Sequence, residues 1–208
     1  MSKKQQSWTS ILADRRELLM SALTVIVLIL TLTSYASFLT GIEMRQGFAF
    51  QDPMHTLMGP IDLTWPIFLI LYGGLIVTIG LLLRQPLILF RAMRAYTILV
   101  AIRMLCMWML PLDPPSTMIA LSDPIVELFT SGGASTLTRD LFFSGHTATF
   151  FLIGAVVPNA VFRRTFYALG CLVGMLVIAQ HVHYTVDVLV APMAAFTAAY
   201  LVGGFNRR

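Results

Sequence analysis

A histidine and an aspartate near the end of the chain form the first chemically suggestive pair. His183 and Asp187 lie four residues apart, so on a helix both side chains project from one face and can form a hydrogen bond. The carboxylate would fix the imidazole tautomer and leave the other ring nitrogen free to attack an electrophile or to accept a proton. A buried pair that only satisfies a helix end is the alternative, but ionisable groups inside a membrane are presumed functional. In a membrane-embedded chain, the pair therefore predicts a reactive site.

The segment Ser144-Gly145-His146-Thr147 has the residue types of a phosphate site. Ser144 can cap a helix, and the small Gly145 lets a ligand approach the backbone closely. Free amide groups at a helix start, together with the helix dipole, favour a bound phosphate. His146 would then be placed to protonate a departing alkoxide. Together the two histidine segments predict phosphoryl chemistry.

Both segments resemble known motifs. Residues 140–147 (Asp-Leu-Phe-Phe-Ser-Gly-His-Thr) and 181–187 (His-Val-His-Tyr-Thr-Val-Asp) resemble the two signature motifs of the sphingomyelin synthase family, a branch of the type 2 phosphatidic acid phosphatase superfamily. The run 103–111, an arginine followed at its end by Leu-Pro, is similar to that family's third-span motif. The resemblance covers about residues 63–204, and it is most specific at the two histidine motifs.

The resemblance implies six spans, a site on the exoplasmic side, and chemistry through a phosphohistidine without a metal or cofactor. By motif position, His183 would be the nucleophile, Asp187 its orienting carboxylate and His146 the general acid. His181 matches a companion histidine, and Asp140 matches the acidic residue ahead of the Ser-Gly-His-Thr motif. The expected phosphate or substrate contacts are Arg103, Arg139, Asp140, Ser144, Gly145, Thr147, His181 and Tyr184.

The chain departs from the phosphatase branch in its cations. It has no outer-facing lysine followed by an Arg-Pro pair, the clamp that those phosphatases use on a phosphate monoester. A diester carries one negative charge, so Arg103, Arg139 and backbone amides could suffice, which favours phosphodiester lipids as donors. The first outer loop, with Asp52, His55 and Asp62, matches the family poorly and leaves the acceptor open.

A membrane must surround the elements that carry these motifs. The chain is 57% hydrophobic and 12% charged, which is too apolar for an ordinary soluble domain of 208 residues. Its formal charge of +4 comes from basic residues at the ends of apolar runs, which fits membrane topology and not nucleic-acid binding. Cys106 and Cys171 lie inside apolar runs, where we expect packing residues and not a disulfide.

The apolar runs predict an all-α fold, a six-helix transmembrane bundle forming one membrane domain over 1–208. The predicted spans are 18–40, 63–83, 86–111, 141–162, 165–180 and 185–204. Pro158 and Pro192 should kink or end helices, and Arg163 and Arg164 should join the fourth and fifth spans. Arg103 lies deep in the third span, where it should face the protein interior or an anion.

Charge asymmetry orients this bundle. With both termini cytoplasmic, only Arg45, Arg103 and Arg139 of the 14 lysines and arginines fall toward the outside. All four histidines then lie on or near the outer side. Residues 1–17 form a cytoplasmic segment, the first span is retained, and the outer loop 112–140 can lie along the interface and gate the site. The short termini suggest a bacterial inner membrane with a periplasmic site.

The leading hypothesis is transfer of a phospho-headgroup from a phosphodiester lipid to ceramide, another lipid alcohol or water, with diacylglycerol released. Membrane lipids would be the partners, and a homo-oligomer is possible. Water as acceptor would make the protein a phospholipase C, and a monoester donor would make it a lipid phosphatase. A non-catalytic lipid transporter or scramblase is an alternative of another class. A further alternative is a zinc site, whose ligands would be His146, His181, His183 and Asp187.

Overall fold

The chain folds as a bundle of α-helices in a computed structural model that describes residues 7–122 and 137–203. The helices are α1 (Trp8–Ala13), α2 (Arg15–Glu43), α3 (Pro53–Leu57), α4 (Thr64–Leu82), α5 (Pro86–Met109), α6 (Gly145–Val156), α7 (Ala160–Ala179) and α8 (Thr185–Leu201). The described ranges contain no strand, only one isolated bridge between Phe48 and Leu112. The predicted all-helical fold is confirmed for this part of the chain.

Several helices begin where the sequence supplies a cap. Asp14 accepts from the backbone N–H of Arg16 at 2.8 Å and opens α2, and Asn159 accepts from the N–H of Val161 at 2.8 Å and opens α7. Pro86 is the first residue of α5, a position where its missing N–H costs no helical hydrogen bond. These local signals fix where each long apolar run starts.

Within residues 7–122 and 137–203, three helices are long and apolar enough to cross a membrane: α2 with 29 residues, α4 with 19 and α7 with 20. At about 1.5 Å per residue each reaches or nearly reaches the roughly 30 Å of a hydrocarbon core. The shorter apolar helices α6 and α8 and the arginine-containing α5 pack among them. Several membrane-length apolar helices identify an integral membrane protein, while six spans and cytoplasmic termini remain predictions.

The fourth predicted span differs from the helix that forms. We expected one helix over 141–162, but α6 covers only Gly145–Val156. Pro158 cannot donate a helical hydrogen bond, and Val157 and Asn159 have extended backbone, so the helix ends there. Arg163 and Arg164 lie in the first turns of α7 and not in the connection between the two helices. Pro192 lies inside α8, which continues past it.

Helix α6 lies at the centre of the bundle, between α5, α7 and α8. One buried cluster joins α5, α6 and α8 through an alanine-rich face that includes Ala191, Ala195 and Ala198. A second cluster packs α6 against α4 and α7 through Phe150 and Phe166, among others. Small residues on α8 allow a close approach to α6, which brings the starts of these two helices together.

Nearly half of the predicted gating loop, 14 of its 29 residues, cannot be compared with the fold. Residues 123–136 lie outside the described residues, as do residues 1–6 and 204–208. The described end of that loop, residues 137–140, is held to α2 because the Glu43 carboxylate accepts from the backbone N–H groups of Thr138 and Arg139, both at 3.0 Å. This anchors the segment that leads into the Ser-Gly-His-Thr motif.

Candidate active site

The starts of α6 and α8 bring the two histidine motifs together. The backbone N–H of Ser144 donates to the carbonyl of Asp187 at 3.1 Å, which ties the two helix starts directly. The ring centroids of His146 and His183 are 6.5 Å apart, with the rings inclined at 62°. Two imidazoles separated by 37 residues in sequence therefore face one small space.

His183 and Asp187 form a buried pair. His183 Nδ1 lies 3.4 Å from Asp187 Oδ2, and the two residues are 1% and 0% exposed. The same Oδ2 accepts from the backbone N–H of Tyr184 at 3.0 Å, closing the first turn of α8. Asp187 Oδ1 has no hydrogen-bond partner within the described ranges. The carboxylate thus faces Nδ1 and leaves Nε2 as the nitrogen available for chemistry.

The Ser144 hydroxyl caps α6 as its sequence predicts. Its Oγ accepts from the Thr147 N–H at 3.4 Å and lies 3.1 Å from Thr147 Oγ1. Both residues are buried. The space over Gly145 is occupied by the Arg103 guanidinium, because a β-carbon at Gly145 would lie 2.9 Å from Arg103 Cζ. In this structure the glycine therefore makes room for an arginine beside His146.

Arg103 faces the protein interior, where it organises the approach to His146. Its Nη2 lies 2.7 Å from Asp140 Oδ1, its Nε donates to the Tyr35 hydroxyl at 2.9 Å, and its Nη1 donates to the Phe143 carbonyl. Burial raises the pKa of Asp140, but the guanidinium beside it outweighs that effect and holds the pKa below its usual range. The buried cation and its carboxylate therefore neutralise each other.

Arg139 is engaged away from the two facing rings. Its Nε donates to Asp113 Oδ1 at 2.9 Å, and its Nη1 donates to the carbonyl of Glu43 at 2.8 Å. These contacts hold the end of α2 and the two outer loops together. The predicted phosphate contact from this arginine stays a prediction.

His181 and Tyr184 lie under the first outer loop. His181 has a left-handed backbone with φ of 59°, and its Nδ1 lies 2.6 Å from Thr117 Oγ1. Its ring stacks on His55 with centroids 4.1 Å apart. The Tyr184 ring stacks on Phe50 at 4.0 Å, and its hydroxyl donates to the carbonyl of Asp113 at 2.9 Å.

Asp52 and His55 have no predicted site role, yet both contact the second histidine motif. Asp52 accepts from the N–H of Thr185 at 2.6 Å, and His55 Nε2 lies 3.2 Å from the His183 carbonyl. Burial raises the pKa of Asp52, but the hydrogen bonds from Thr185 outweigh it and hold the pKa below its ordinary value. Burial, reinforced by His181, lowers the pKa of His55. Asp52-Pro53 is a recognisable helix start, but nothing in the sequence pairs it with α8.

An apolar cavity of about 510 Å³ lies between α2, α4, α5 and α6, and His146 lines it. Its polar end is formed by Tyr35, Arg103, Asp140, Gly145 and His146. The remaining wall is mainly aliphatic and aromatic, and it reaches Leu82 and Val156 at the far ends of α4 and α6. An elongated apolar ligand with a polar head matches this shape and polarity.

The described residues offer no ligand set for a metal ion. Across 7–122 and 137–203, no three histidine, cysteine, aspartate or glutamate side chains are arranged so that they could hold one. The zinc site weighed from the sequence therefore gains no support from this geometry.

Comparison with known proteins finds one similarity, and it covers the site. Neither a curated protein nor a solved structure matches the chain. Residues 139–202 match the family model described as PAP2 superfamily C-terminal, and this range includes both histidine motifs. Members of that superfamily are phosphatases and phosphotransferases, which suggests phosphate-ester chemistry on lipids. The chain is therefore similar to this superfamily over the segment that carries both motifs.

Proposed function

We propose that the protein is a sphingomyelin synthase-like lipid phosphotransferase embedded in a membrane. It would move a phospho-headgroup from a phosphodiester phospholipid to a lipid hydroxyl, such as that of ceramide, through a phosphohistidine. The observation that carries the proposal is the facing pair His146 and His183, of which His146 lines the polar end of an apolar cavity. Six spans, cytoplasmic termini and a periplasmic site in a bacterial inner membrane belong to the same proposal.

In the first half-reaction His183 Nε2 attacks phosphorus. The bond from phosphorus to the diacylglycerol oxygen breaks as the bond to Nε2 forms, and His146 donates a proton to the departing alkoxide. With their ring centroids 6.5 Å apart, the two imidazoles are close enough for both to contact one phosphate ester. Asp187 stabilises the positive charge that develops on the His183 ring.

In the second half-reaction the acceptor hydroxyl replaces diacylglycerol. His146, now neutral, takes the hydroxyl proton while the acceptor oxygen attacks phosphorus and the bond to Nε2 breaks. This step restores His183 and the protonated His146. Water in place of the lipid hydroxyl would give phospholipase C activity from the same intermediate.

The cavity supports a lipid donor. Leu89 and Arg103 both line it and lie fourteen residues apart on α5, a distance of about 21 Å along a helix. That depth exceeds the roughly 15 Å of one leaflet of hydrocarbon. One acyl chain can therefore extend along the apolar wall while its headgroup stays at the paired histidines.

The charge at the polar end supports a phosphodiester. Among the described residues that line the cavity, Arg103 is the single lysine or arginine, and the Asp140 carboxylate neutralises it, which leaves the protonated His146 as the uncompensated positive charge. A monoester dianion would need more positive charge than this pair leaves over, whereas a diester carries one negative charge. Backbone amides at the start of α6 then supply the remaining stabilisation.

One assay tests the proposal. Purified protein is incubated with fluorescent ceramide and fluorescent diacylglycerol and, in separate reactions, with phosphatidylcholine, phosphatidylethanolamine or phosphatidic acid, and the labelled products are separated by chromatography. We expect headgroup transfer from a diester donor and no turnover by His183→Ala. Cys171→Ser, at an exposed position on α7, is the control. Phosphate release from phosphatidic acid alone would indicate a lipid phosphatase.

A second measurement separates an enzyme from a carrier. A donor with labelled phosphorus should leave label on the protein during a short reaction, in an acid-labile bond typical of phosphohistidine, and His183→Ala should carry none. A lipid transporter or scramblase would move lipid between leaflets without labelling the protein. Turnover by His183→Ala at the wild-type rate would reject the assignment of the nucleophile.

A further inference from the structure

One carboxylate caps the starts of two helices. Asp52 is 3% exposed, and its Oδ1 accepts from the Met54 N–H at 2.8 Å at the start of α3. The same Oδ1 accepts from the Thr185 hydroxyl at 2.8 Å, and Oδ2 accepts from the Thr185 N–H at 2.6 Å at the start of α8. The first outer loop is therefore hydrogen-bonded to Thr185, two residues after His183.

His55, in α3, contacts the backbone on the other side of Tyr184 from Thr185. His55 Nε2 is 3.2 Å from the His183 carbonyl, and the His55 ring stacks on His181. The His183 carbonyl and the Thr185 N–H are thus both bonded to side chains of α3 or its cap. These two contacts fix the backbone from which the His183 ring projects.

We infer that Asp52 and His55 are positioning residues that set the direction of the His183 ring toward His146. The side-chain contact between His183 and Asp187 is long at 3.4 Å, so it restrains the ring less than a short hydrogen bond would. The backbone contacts from Asp52 and His55 supply the missing restraint. The inference rests on the proposed function, in which His183 Nε2 must reach phosphorus.

The size of the effect follows from the sensitivity of group transfer to geometry. A shift of about 1 Å in a reacting group can cost on the order of 100-fold in rate. Substrate binding depends mainly on the cavity, which neither Asp52 nor His55 lines. Loosening the start of α8 should therefore lower kcat and leave KM near its wild-type value.

The test compares Asp52→Asn with Asp62→Asn in the full-length protein. Asp62 lies in the same loop and accepts from the Thr64 N–H at 3.0 Å, but it is exposed and its hydrogen bond is with α4 and not with α8. We expect Asp52→Asn to lower kcat by about 10- to 100-fold at unchanged KM, and Asp62→Asn to retain the wild-type rate. Wild-type kcat in Asp52→Asn would overturn the inference.

A coupling measurement identifies the contact responsible. Thr185→Val removes the hydroxyl donor, whereas Thr185→Ser keeps it and should retain more of the rate. Because Asp52 and Thr185 act through one contact, the double variant should be little slower than Asp52→Asn alone. Multiplied losses in the double variant would show that the two residues act separately, against the inference.

Hydrogen exchange gives a result that needs no turnover. The Thr185 amide should exchange slowly in the wild type and in Asp62→Asn, and faster in Asp52→Asn. If the wild type turns over no donor, the proposed function fails while this measurement still tests the contact.

If Asp52→Asn does not fold, His55→Phe, which keeps the stacked ring but loses the donor, should show the same fall in kcat. Unchanged kcat in that variant would equally overturn the inference.

Discussion

Replacing Asp140 with asparagine removes the counter-charge of a buried guanidinium and should destabilise the protein strongly. Arg103 is 5% exposed, and its Nη2 lies 2.7 Å from Asp140 Oδ1. Removing one partner of a buried ion pair typically costs about 3–5 kcal/mol, because the other charge stays buried. The Asp140 side chain is 27% exposed, so water screens part of the lost attraction, and we expect a cost of about 2–4 kcal/mol.

Asp113→Asn is the matched control, because Asp113 forms the same kind of pair at a wetter position. Its Oδ1 lies 2.9 Å from Arg139 Nε, and both side chains are about 30% exposed. Exposed ion pairs contribute about 0–1 kcal/mol. Asp113 also accepts from the Gly47 N–H at 3.2 Å, so we expect the substitution to cost about 1 kcal/mol.

Thermal unfolding of both variants in one detergent compares these costs. For a chain of this length each kcal/mol lowers Tm by about 2–4 °C, so Asp140→Asn should lower Tm by roughly 5–15 °C and Asp113→Asn by about 2–4 °C. Adding Arg103→Met to Asp140→Asn should recover part of the loss, since the uncompensated charge is then gone. Equal Tm values for the two single variants would refute the claim that Asp140 compensates the buried Arg103.

The other predictions concern the motif residues and pH. Asp187→Asn should slow formation of the phosphoenzyme by about two to four orders of magnitude in single-turnover experiments, because His183 loses the carboxylate that orients it. Gly145→Ala should lower the free energy of unfolding by about 1–3 kcal/mol in a denaturant or thermal titration, since its β-carbon would collide with the Arg103 guanidinium. The pKa of His55 is lowered in the folded state, so unfolding takes up a proton there, and stability should fall as pH drops below its ordinary value of 6.5. In His55→Phe, Tm should fall less between pH 7 and 5 than in the wild type. An unchanged slope of Tm against pH would contradict this prediction.

Much of the fold could be predicted because its signals are local. The apolar runs located α2, α4, α5, α7 and α8, and the deep position of Arg103 in its run predicted that its side chain faces inward. The meeting of the two histidine motifs was an expectation from family resemblance, and the geometry places the two rings 6.5 Å apart. Their chemical roles stay predictions.

The missed features depend on contacts between distant parts of the chain. Asp52 and Thr185 are 133 residues apart, and no periodicity or cap signal pairs a loop with a helix start at that distance. Asp140 was identified by its motif, but its partner Arg103 could be found only from the packing of α5 against the loop before α6. The length of α6 was misjudged because the apolar run continues through Pro158, whose effect on the helix outweighs the hydropathy.

The packing of α6 against α7 bears on the choice between a lipid hydroxyl and water. A β-carbon on Gly170 would lie 2.8 Å from Phe151, and one on Gly174 would lie 3.5 Å from Thr147 Oγ1, so the two helices run antiparallel with Thr147 opposite Gly174. Gly174 lies five residues before the end of α7, which puts Thr147, in the first turn of α6, about 7.5 Å below that end.

The second histidine motif is recessed in the same way. After α7 the chain folds back, and the N–H of Val182 donates to the Val177 carbonyl at 3.0 Å. The outer loops cover this return, since Ile61 and Ile119 donate to the carbonyls of Ala179 and Gln180. The His183 ring therefore lies below a roof of loop backbone, and His146, whose ring faces it, lines the apolar cavity. A lipid alcohol reaches such a site through the cavity more readily than bulk water does, so a phosphohistidine formed there should pass mainly to a lipid hydroxyl.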